Sequence, residues 1–540
     1  VLKVVTTEEM RRIEKAADAG GLSYDEMMAN AGEAIARAIL EQWPGIKNSR
    51  VLILVGPGNN GGDGLVVGFH LSEAGADVEL YLSHARSESK DHNYARIKEA
   101  GAMITLAEED SEATRLYAAL QEADFLVDAL LGTGIKLPLR GVPKEILSTA
   151  KSIIGGMPNR PYLVAVDCPS GLDCDSGDVA EESLAADLTV TLAAVKTGLF
   201  EFPGAAFVGK LEVGPIGVPL ELPEMAEVKH LLANAELVRA WLPERPLNAH
   251  KGTFGHVVVV AGSINFPGAA VLAGLGAYRS GAGLVTLAVP LVIQSFLVSA
   301  LPEATWIALP HEMGSISRSA APVLQNELAG VDAVLIGPGF GRDPETKSFL
   351  EMIFHAKNDE RRKQLGFIGD EQESKAASIP PCVIDADGLK LLSEISDWYK
   401  LIEHTAVLTP HPGEFAYMTG LSISEVLANR TGYAREYSRK WGHVVVLKGA
   451  YTIVADPEGQ VATVPIATPA LATAGTGDVL AGVILGMRSQ GLGAFQSAVV
   501  GAYLHAQAGA IAAAEIGSNA SVIAGDVADF LPSAFAELNG

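Results

Sequence analysis

With 540 residues, 48% of them apolar and 19% charged, the chain exceeds one ordinary hydrophobic core and is too apolar to stay disordered, so two or more folded domains are expected. Its formal charge of −24 argues against nucleic acid and an anionic membrane surface, because the longest basic run is only Arg361-Arg362-Lys363. The same field opposes a nucleotide at long range, so any phosphate site has to rest on local backbone dipoles. Cys168, Cys174 and Cys382 are the only cysteines. They give neither a disulfide framework nor zinc spacing, and a reducing cytoplasm is the expected setting. Val1 to Met10 shows no leader pattern and no apolar run has membrane-spanning length, so a soluble protein without a membrane partner is expected.

Two helices are predicted between Thr6 and Gln42, opened by Thr6-Thr7-Glu8-Glu9 and by the capping pattern Ser23-Tyr24-Asp25-Glu26. The apolar run Val51 to Val55 reads as a buried strand and ends in Gly56-Pro57-Gly58-Asn59-Asn60-Gly61-Gly62-Asp63-Gly64. Helices near 62–75, 90–100, 112–122 and 143–153 then alternate with strands at 78–82, 103–106, 125–128 and 162–166. That alternation predicts a parallel, doubly wound α/β sheet. The pattern lapses between about 214 and 236, which places a first domain over 1–222, a linker over 223–236 and a second domain over 237–540.

In the second domain a strand is predicted over His256 to Ala261 and a small-residue helix over Pro267 to Arg279. Further strands are predicted at 284–289, 332–336, 382–385, 405–408 and 443–447. The Ala- and Gly-rich stretches Ala470 to Met487 and Ala494 to Ile516 read as closely packed helices covering a sheet. The charged stretch Lys357 to Ser378 reads as an exposed loop or insertion.

Three polar, glycine-bordered strand exits stand in the first domain. One is Gly56 to Gly64, the next is Asp128-Ala129-Leu130-Leu131-Gly132-Thr133-Gly134, and the third is Asp167-Cys168-Pro169-Ser170-Gly171-Leu172. Carboxyl ends of parallel strands line one crevice, so the three should converge. Taken singly, each also reads as a tight turn that tolerates left-handed backbone. Asp167, at a strand end, can serve as acid and base or as a turn aspartate. Cys168 and Cys174 read as buried small hydrophobes.

Together with Lys196-Thr197-Gly198, these motifs resemble the NAD(P)HX epimerase family over nearly all of 1–220. The resemblance implies a Rossmann-like domain. It further implies that Asn59, Asn60, Gly61, Gly62 and Asp63, with Gly132, Thr133, Gly134, Ile135, Lys136, Leu137 and Pro138, hold the hydrated cofactor. Asp167 would be its catalytic acid/base and a substrate contact. Asn60, Asp128 and Ser170 would hold a potassium ion through oxygen.

In the second domain, Ala474-Gly475-Thr476-Gly477-Asp478 directly precedes an apolar helix. Backbone N–H groups at such a start form an anion hole, and an aspartate there can deprotonate an acceptor hydroxyl. A glycine hinge with a capping aspartate is the plainer reading. The companions are His250-Lys251-Gly252, Ala261-Gly262-Ser263, Arg279 to Gly283, Ile336-Gly337-Pro338-Gly339, Ile384 to Leu389, Thr409 to Glu414 and Leu447-Lys448-Gly449-Ala450. With them, the motif resembles the ADP-dependent NAD(P)HX dehydratases of the ribokinase-like superfamily over roughly 237–538.

That resemblance implies a second three-layer α/β domain. Lys448, Gly449, Ala450, Tyr451, Thr452, Gly475, Thr476 and Gly477 would hold ADP. Ala269, Gly339, His411 and Asp478 would face the hydrated cofactor, with Asp478 as the catalytic base. Mg2+ on the phosphates and a homo-oligomeric assembly are also implied. Asp385 and Asp387 stay open between magnesium and helix capping, and His411 is equally readable as a structural loop histidine. Two other functions fit the same motifs: a ribokinase-like kinase of a small alcohol fused to a cofactor-binding module, or a first domain that binds without catalysing.

Overall fold

The computed structural model describes residues 1–355 and 379–539, so the stretch Lys357 to Ser378 lies outside the described residues. The chain divides into two compact units, Leu2–His230 and Leu231–Gly540. The segment 223–236, expected as a linker, carries a helical turn at Pro223–Ala226, a strand at His230–Leu232 and the start of a helix at Ala235–Trp241.

The first unit is built on seven strands: β1 (Arg50–Val55), β2 (Asp77–Leu82), β3 (Met103–Leu106), β4 (Phe125–Ala129), β5 (Tyr162–Val166), β6 (Leu188–Leu192) and β7 (Lys210–Gly214). They lie in the order β3-β2-β1-β4-β5-β6-β7 and every pairing is parallel. The order reverses between β1 and β4, where a doubly wound sheet opens its ligand crevice.

Helices α1 (Thr7–Ala19), α2 (Tyr24–Gln42), α3 (Asn59–Glu73), α4 (His92–Glu99), α5 (Thr114–Glu122) and α6 (Gly141–Gly155) accompany the sheet. Capping boxes at Thr6 and Ser23 open α1 and α2, as the sequence predicts. Along β1, Val51, Ile53 and Val55 pack with Ile35, Ile39, Leu65 and Leu71 of α2 and α3. Leu52 and Leu54 turn the other way, toward Leu116 and Leu120 of α5 and Leu147 of α6. An all-apolar strand therefore feeds two cores, which produces the three-layer, Rossmann-like arrangement.

The second unit carries a ten-stranded sheet: β8 (His230–Leu232), β9 (His256–Val260), β10 (Leu284–Pro290), β11 (Thr305–Leu309), β12 (Ala333–Ile336), β13 (Cys382–Ile384), β14 (Val407–Leu408), β15 (Val444–Leu447), β16 (Ile453–Ala455) and β17 (Val461–Thr463). The order is β8-β17-β16-β15-β14-β13-β12-β9-β10-β11. Pairings from β15 through β11 are parallel, and β15-β16-β17 are antiparallel. The switch point falls between β9 and β12.

One face is covered by α7 (Gly268–Arg279), α11 (Thr476–Ser489), α12 (Ala494–Ile516) and α13 (Ala524–Asn539), and the other includes α8 (Asp387–Ser393), α9 (Pro412–Thr419) and α10 (Arg430–Trp441). Small residues let α7 and α11 touch backbone to backbone. A Cβ on Gly482 would lie 2.0 Å from the Ala273 carbonyl, and one on Gly276 2.5 Å from that of Val479. Those distances account for the Ala/Gly density in the sequence.

Candidate active sites

The β1 exit runs straight into α3, whose first residue is Asn59. The Asn-Asn-Gly-Gly-Asp motif is thus the first helical turn rather than a loop ahead of it. No side chain caps this helix start, so its leading N–H groups remain available to an anion. Arg86 braces the turn from behind, its Nη2 donating to the carbonyls of Gly56 at 2.6 Å and Gly58 at 3.1 Å. Gly61 and Gly62 are packing positions, because a Cβ would reach 2.1 Å from the Gly56 carbonyl in one case and 2.6 Å from the Met28 sulfur in the other.

A cavity of 490 Å³ opens here, and its lining includes Asn59, Asn60, Asp63, the run Leu130 to Ile135, Asp167, Arg11 and Glu14. The predicted exits therefore converge. Gly61, Gly62, Lys136, Leu137 and Pro138 are not among the lining residues.

Asp128 and Ser170 lie buried at the β4 and β5 exits. Asp128 accepts from the Ser170 N–H at 2.8 Å and from the Ser170 hydroxyl at 2.5 Å. Asn60 donates its Nδ2 to the Leu131 carbonyl at 3.1 Å, while the Leu131 N–H donates to Ser170 Oγ at 2.8 Å. Among the described residues Asp128 has no cationic partner, and burial, offset in part by its Ser170 hydrogen bonds, pushes its carboxyl upward. Asn60 keeps its Oδ1 free of the Leu131 contact. This all-oxygen set, with one uncompensated carboxyl, fits a hard monovalent cation.

Asp167 has left-handed backbone, φ 64°. Its Oδ1 accepts from the Thr191 hydroxyl at 3.1 Å, the Leu192 N–H at 3.0 Å and the buried Lys196 ammonium. Lys196 also donates to Thr191 Oγ1 at 3.2 Å and to the Leu192 carbonyl at 2.9 Å. The carboxylate is thus fixed through one oxygen while the residue lines the cavity. Burial pushes Glu14 upward as well, with Lys196 opposing and Asp167 reinforcing the shift. No sequence motif assigns a role to Arg86, Lys196 or Glu14. Lys196 comes from the β6 side of the sheet, and only folding brings it to Asp167. Cys168 and Cys174 are buried and free, as read.

In the second unit, Gly475 caps α11 with φ 89°. Among the described residues the N–H groups of Gly477 and Asp478 carry no hydrogen bond. The Thr476 hydroxyl is spent on the Leu471 and Thr473 carbonyls, both at 2.9 Å, and buried His505 meets the Thr476 carbonyl at 2.8 Å. Burial first, then Asp385, pushes Asp478 up to about 7, with Lys448 opposing.

Lys448 sits within this charged group, 2.8 Å from Asp385 and 3.8 Å from Glu414. Burial alone would lower its ammonium, but Asp385 and Glu414 carry it above its ordinary value. Lys390 links Asp387 at 3.4 Å to Glu414 at 3.6 Å. Asp387 also accepts from the Gly341 N–H at 3.0 Å. Asp385 is therefore an anchor for Lys448, and Asp387 a tie to the Gly341 loop.

His411 caps α9, its Nδ1 accepting from the N–H groups of Gly413 at 3.0 Å and Glu414 at 3.3 Å. Half of its side chain nevertheless stays exposed, so it can meet a ligand as well. Ala269 and Gly339 come together, a Cβ on Gly339 lying 2.8 Å from that of Ala269. Arg430 supports the Gly449–Thr452 turn by donating to the Ala450 carbonyl at 2.7 Å. Among the described residues no group of three His, Cys, Asp or Glu side chains is arranged for a metal ion. The carboxylates here suit a cation that arrives on phosphate oxygens better than a protein-caged one.

A family model described as NAD(P)H-hydrate dehydratase matches residues 257–532, and one described as YjeF-related protein N-terminus matches 24–198. A bifunctional NAD(P)H-hydrate repair enzyme from Moorella thermoacetica is 38% identical, with 99% of this chain and 97% of that relative covered. Its counterpart from Salinibacter ruber is 35% identical, over 96% and 93% respectively. A Bacillus subtilis ADP/ATP-dependent NAD(P)H-hydrate dehydratase, crystallised with ATP and Mg2+, is 31% identical over 57% of this chain and 98% of that one, with a TM-score of 0.46.

Proposed function

Since this chain belongs to the family of bifunctional NAD(P)H-hydrate repair enzymes, we propose that its first unit interconverts (R)- and (S)-NAD(P)HX. The second unit dehydrates the S form to NAD(P)H, consuming ADP and releasing AMP and phosphate. The observation that carries this reading is that each unit brings a carboxylate together with unbonded N–H groups of a helix start: Asp167 and Asn59 line one cavity, and Asp478 stands in the first turn of α11. Phosphates settle on such N–H groups and bring a reactive ring within reach of the carboxylate.

In the second unit, Asp478 takes the proton of the ring hydroxyl, whose oxygen attacks the β-phosphorus of ADP. The N–H groups of Gly477 and Asp478 and the Lys448 ammonium meet the charge that develops on the transferring group. Asp385 and Glu414 hold Lys448 in place for this. Phosphate leaves more readily than hydroxide, and elimination restores the dihydropyridine. Magnesium on the nucleotide would lower the phosphate charge that Lys448 has to meet. Lys448 to Thr452 receive the nucleotide, and Ala269, Gly339 and His411 face the ring.

In the first unit, Asn59 to Asp63 and Gly132 to Pro138 receive the cofactor, and Asp167 serves as acid/base at the hydroxyl-bearing ring carbon. Asn60, Asp128 and Ser170 would hold a potassium ion, which compensates buried Asp128 near a diphosphate. Buried, unpaired cysteines suit a cytoplasmic setting, and no helix among the described residues is long and apolar enough to cross a membrane.

The test is incubation of the intact chain with mixed R and S hydrates, ADP and Mg2+, following both epimers by chromatography and NADH by its near-ultraviolet band. Both epimers disappear, faster than the spontaneous background, as the band grows. Phosphorylated product accumulating without NADH would instead identify a small-molecule kinase.

A further inference from the structure

Asp63 behaves unlike the asparagines and glycines beside it. It lines the first cavity at 7% exposure, and among the described residues its carboxyl makes no hydrogen bond. An ionised carboxylate repels phosphate, so its neighbours on the helix start suit the diphosphate and Asp63 does not. The charged groups around it are Arg11 and Glu14 from α1, Asp25 from α2, and Asp167 with Lys196 from the sheet. The contrast with Asp167 is sharp: one carboxyl is held by three donors, the other by none.

We propose that Asp63 is the second catalytic carboxyl of the epimerase cavity, working as proton donor while Asp167 works as proton acceptor. This rests on the epimerase reading of the first unit. The hydroxyl-bearing ring carbon is bonded to the ring nitrogen. Asp63 gives its proton to the hydroxyl, the carbon–oxygen bond breaks with its electron pair on oxygen, and water leaves. The nitrogen lone pair forms the carbon–nitrogen double bond of an iminium. Water then adds to the opposite face, its oxygen pair forming the new bond while Asp167 takes the released proton. Return of that proton through solvent to Asp63 resets the pair, and the reverse epimerisation exchanges the roles. Burial, reinforced by Asp167 and Glu14 and opposed by Lys196, pushes the Asp63 carboxyl well above the ordinary range, the direction a proton donor needs.

The experiment uses the full chain with one purified epimer and no ADP, so that dehydration is silent. In 18O-labelled water, wild-type enzyme places one labelled oxygen in the hydrate for each epimerisation above background; epimerisation without label overturns the water-loss step. Asp63→Asn lowers kcat about 100-fold with KM within about threefold, and abolishes the limb of the pH profile on which rate falls as pH rises. A kcat within about threefold of wild type, or retention of that limb, overturns the role of Asp63. Should Asp63→Asn fail to melt cooperatively, Asp63→Glu decides: it retains the limb at a shifted pH, and an unshifted profile counts against the assignment. Wild-type enzyme that leaves the pure epimer unconverted sinks the epimerase reading itself, a result distinct from the others.

Discussion

The two sites use the same fold element differently. In the first unit, uncapped N–H groups stand at the helix start at Asn59 while the fixed carboxylate, Asp167, comes from a different strand exit and is held by Lys196. In the second unit, Asp478 and the unbonded N–H groups share one helical turn. Inverting a carbon centre needs proton handlers on two faces of a ring, which separate elements can provide. Phosphoryl transfer needs a base and an anion hole at one fixed spacing, which a single turn enforces.

The strongest challenge to that contrast is Asp478→Asn. It should cut ADP-dependent NADH formation by about 1000-fold while epimerisation, followed by chromatography, stays within about twofold of wild type. Parallel loss of both activities would mean that the sites are not independent. Lys196→Met should act only on the other side, slowing epimerisation about 100-fold. It should also lower the melting temperature, since removing one partner of a buried ion pair costs about 3 kcal/mol. An unchanged melting curve would show that Lys196 does not carry the Asp167 geometry.

A smaller effect is expected from pH. A carboxyl can serve as base only when ionised, and that of Asp478, the proposed base, is pushed up to about 7. Dehydration measured as kcat/KM should therefore fall about tenfold per pH unit below about 6.5 and level off above about 7.5. A flat profile from pH 5 to 8 would remove Asp478 as the base. The smallest effect concerns stability. A carboxyl raised above its unfolded value makes the ionised native state less stable as pH rises toward about 7. Asp478→Asn should thus stabilise the second unit by about 1 kcal/mol at pH 8, after allowance for partial exposure, and by less at pH 5. Calorimetry at the two pH values checks the sign.

Much of this was readable in advance because it is local. Val51 to Val55, the glycine-bordered exits and Gly475 to Asp478 announce strands and helix starts through short-range pattern. Six strands of the two large sheets, Leu188–Leu192, Lys210–Gly214, His230–Leu232, Thr305–Leu309, Ile453–Ala455 and Val461–Thr463, are not predicted by the sequence pattern. They are short, and Thr189 and Thr191 interrupt the apolar run in the first of them. Their strand state depends on neighbours already in the sheet. Arg86, Glu14, His505 and Arg430 carried no motif, since their partners are distant in sequence.

The amino-acid order alone determined the alternation of strands and helices, the two-unit division and the run of residues at each strand exit, because these follow from hydrophobic period and turn chemistry. Folding decided which oxygen of Asp167 is bound, that Lys196 compensates it, that Asp63 is left without a donor, and that Lys448 lies against Asp385 beside Asp478. Charges separated by tens or hundreds of residues interact only once burial has removed the water between them, and that removal belongs to the tertiary structure.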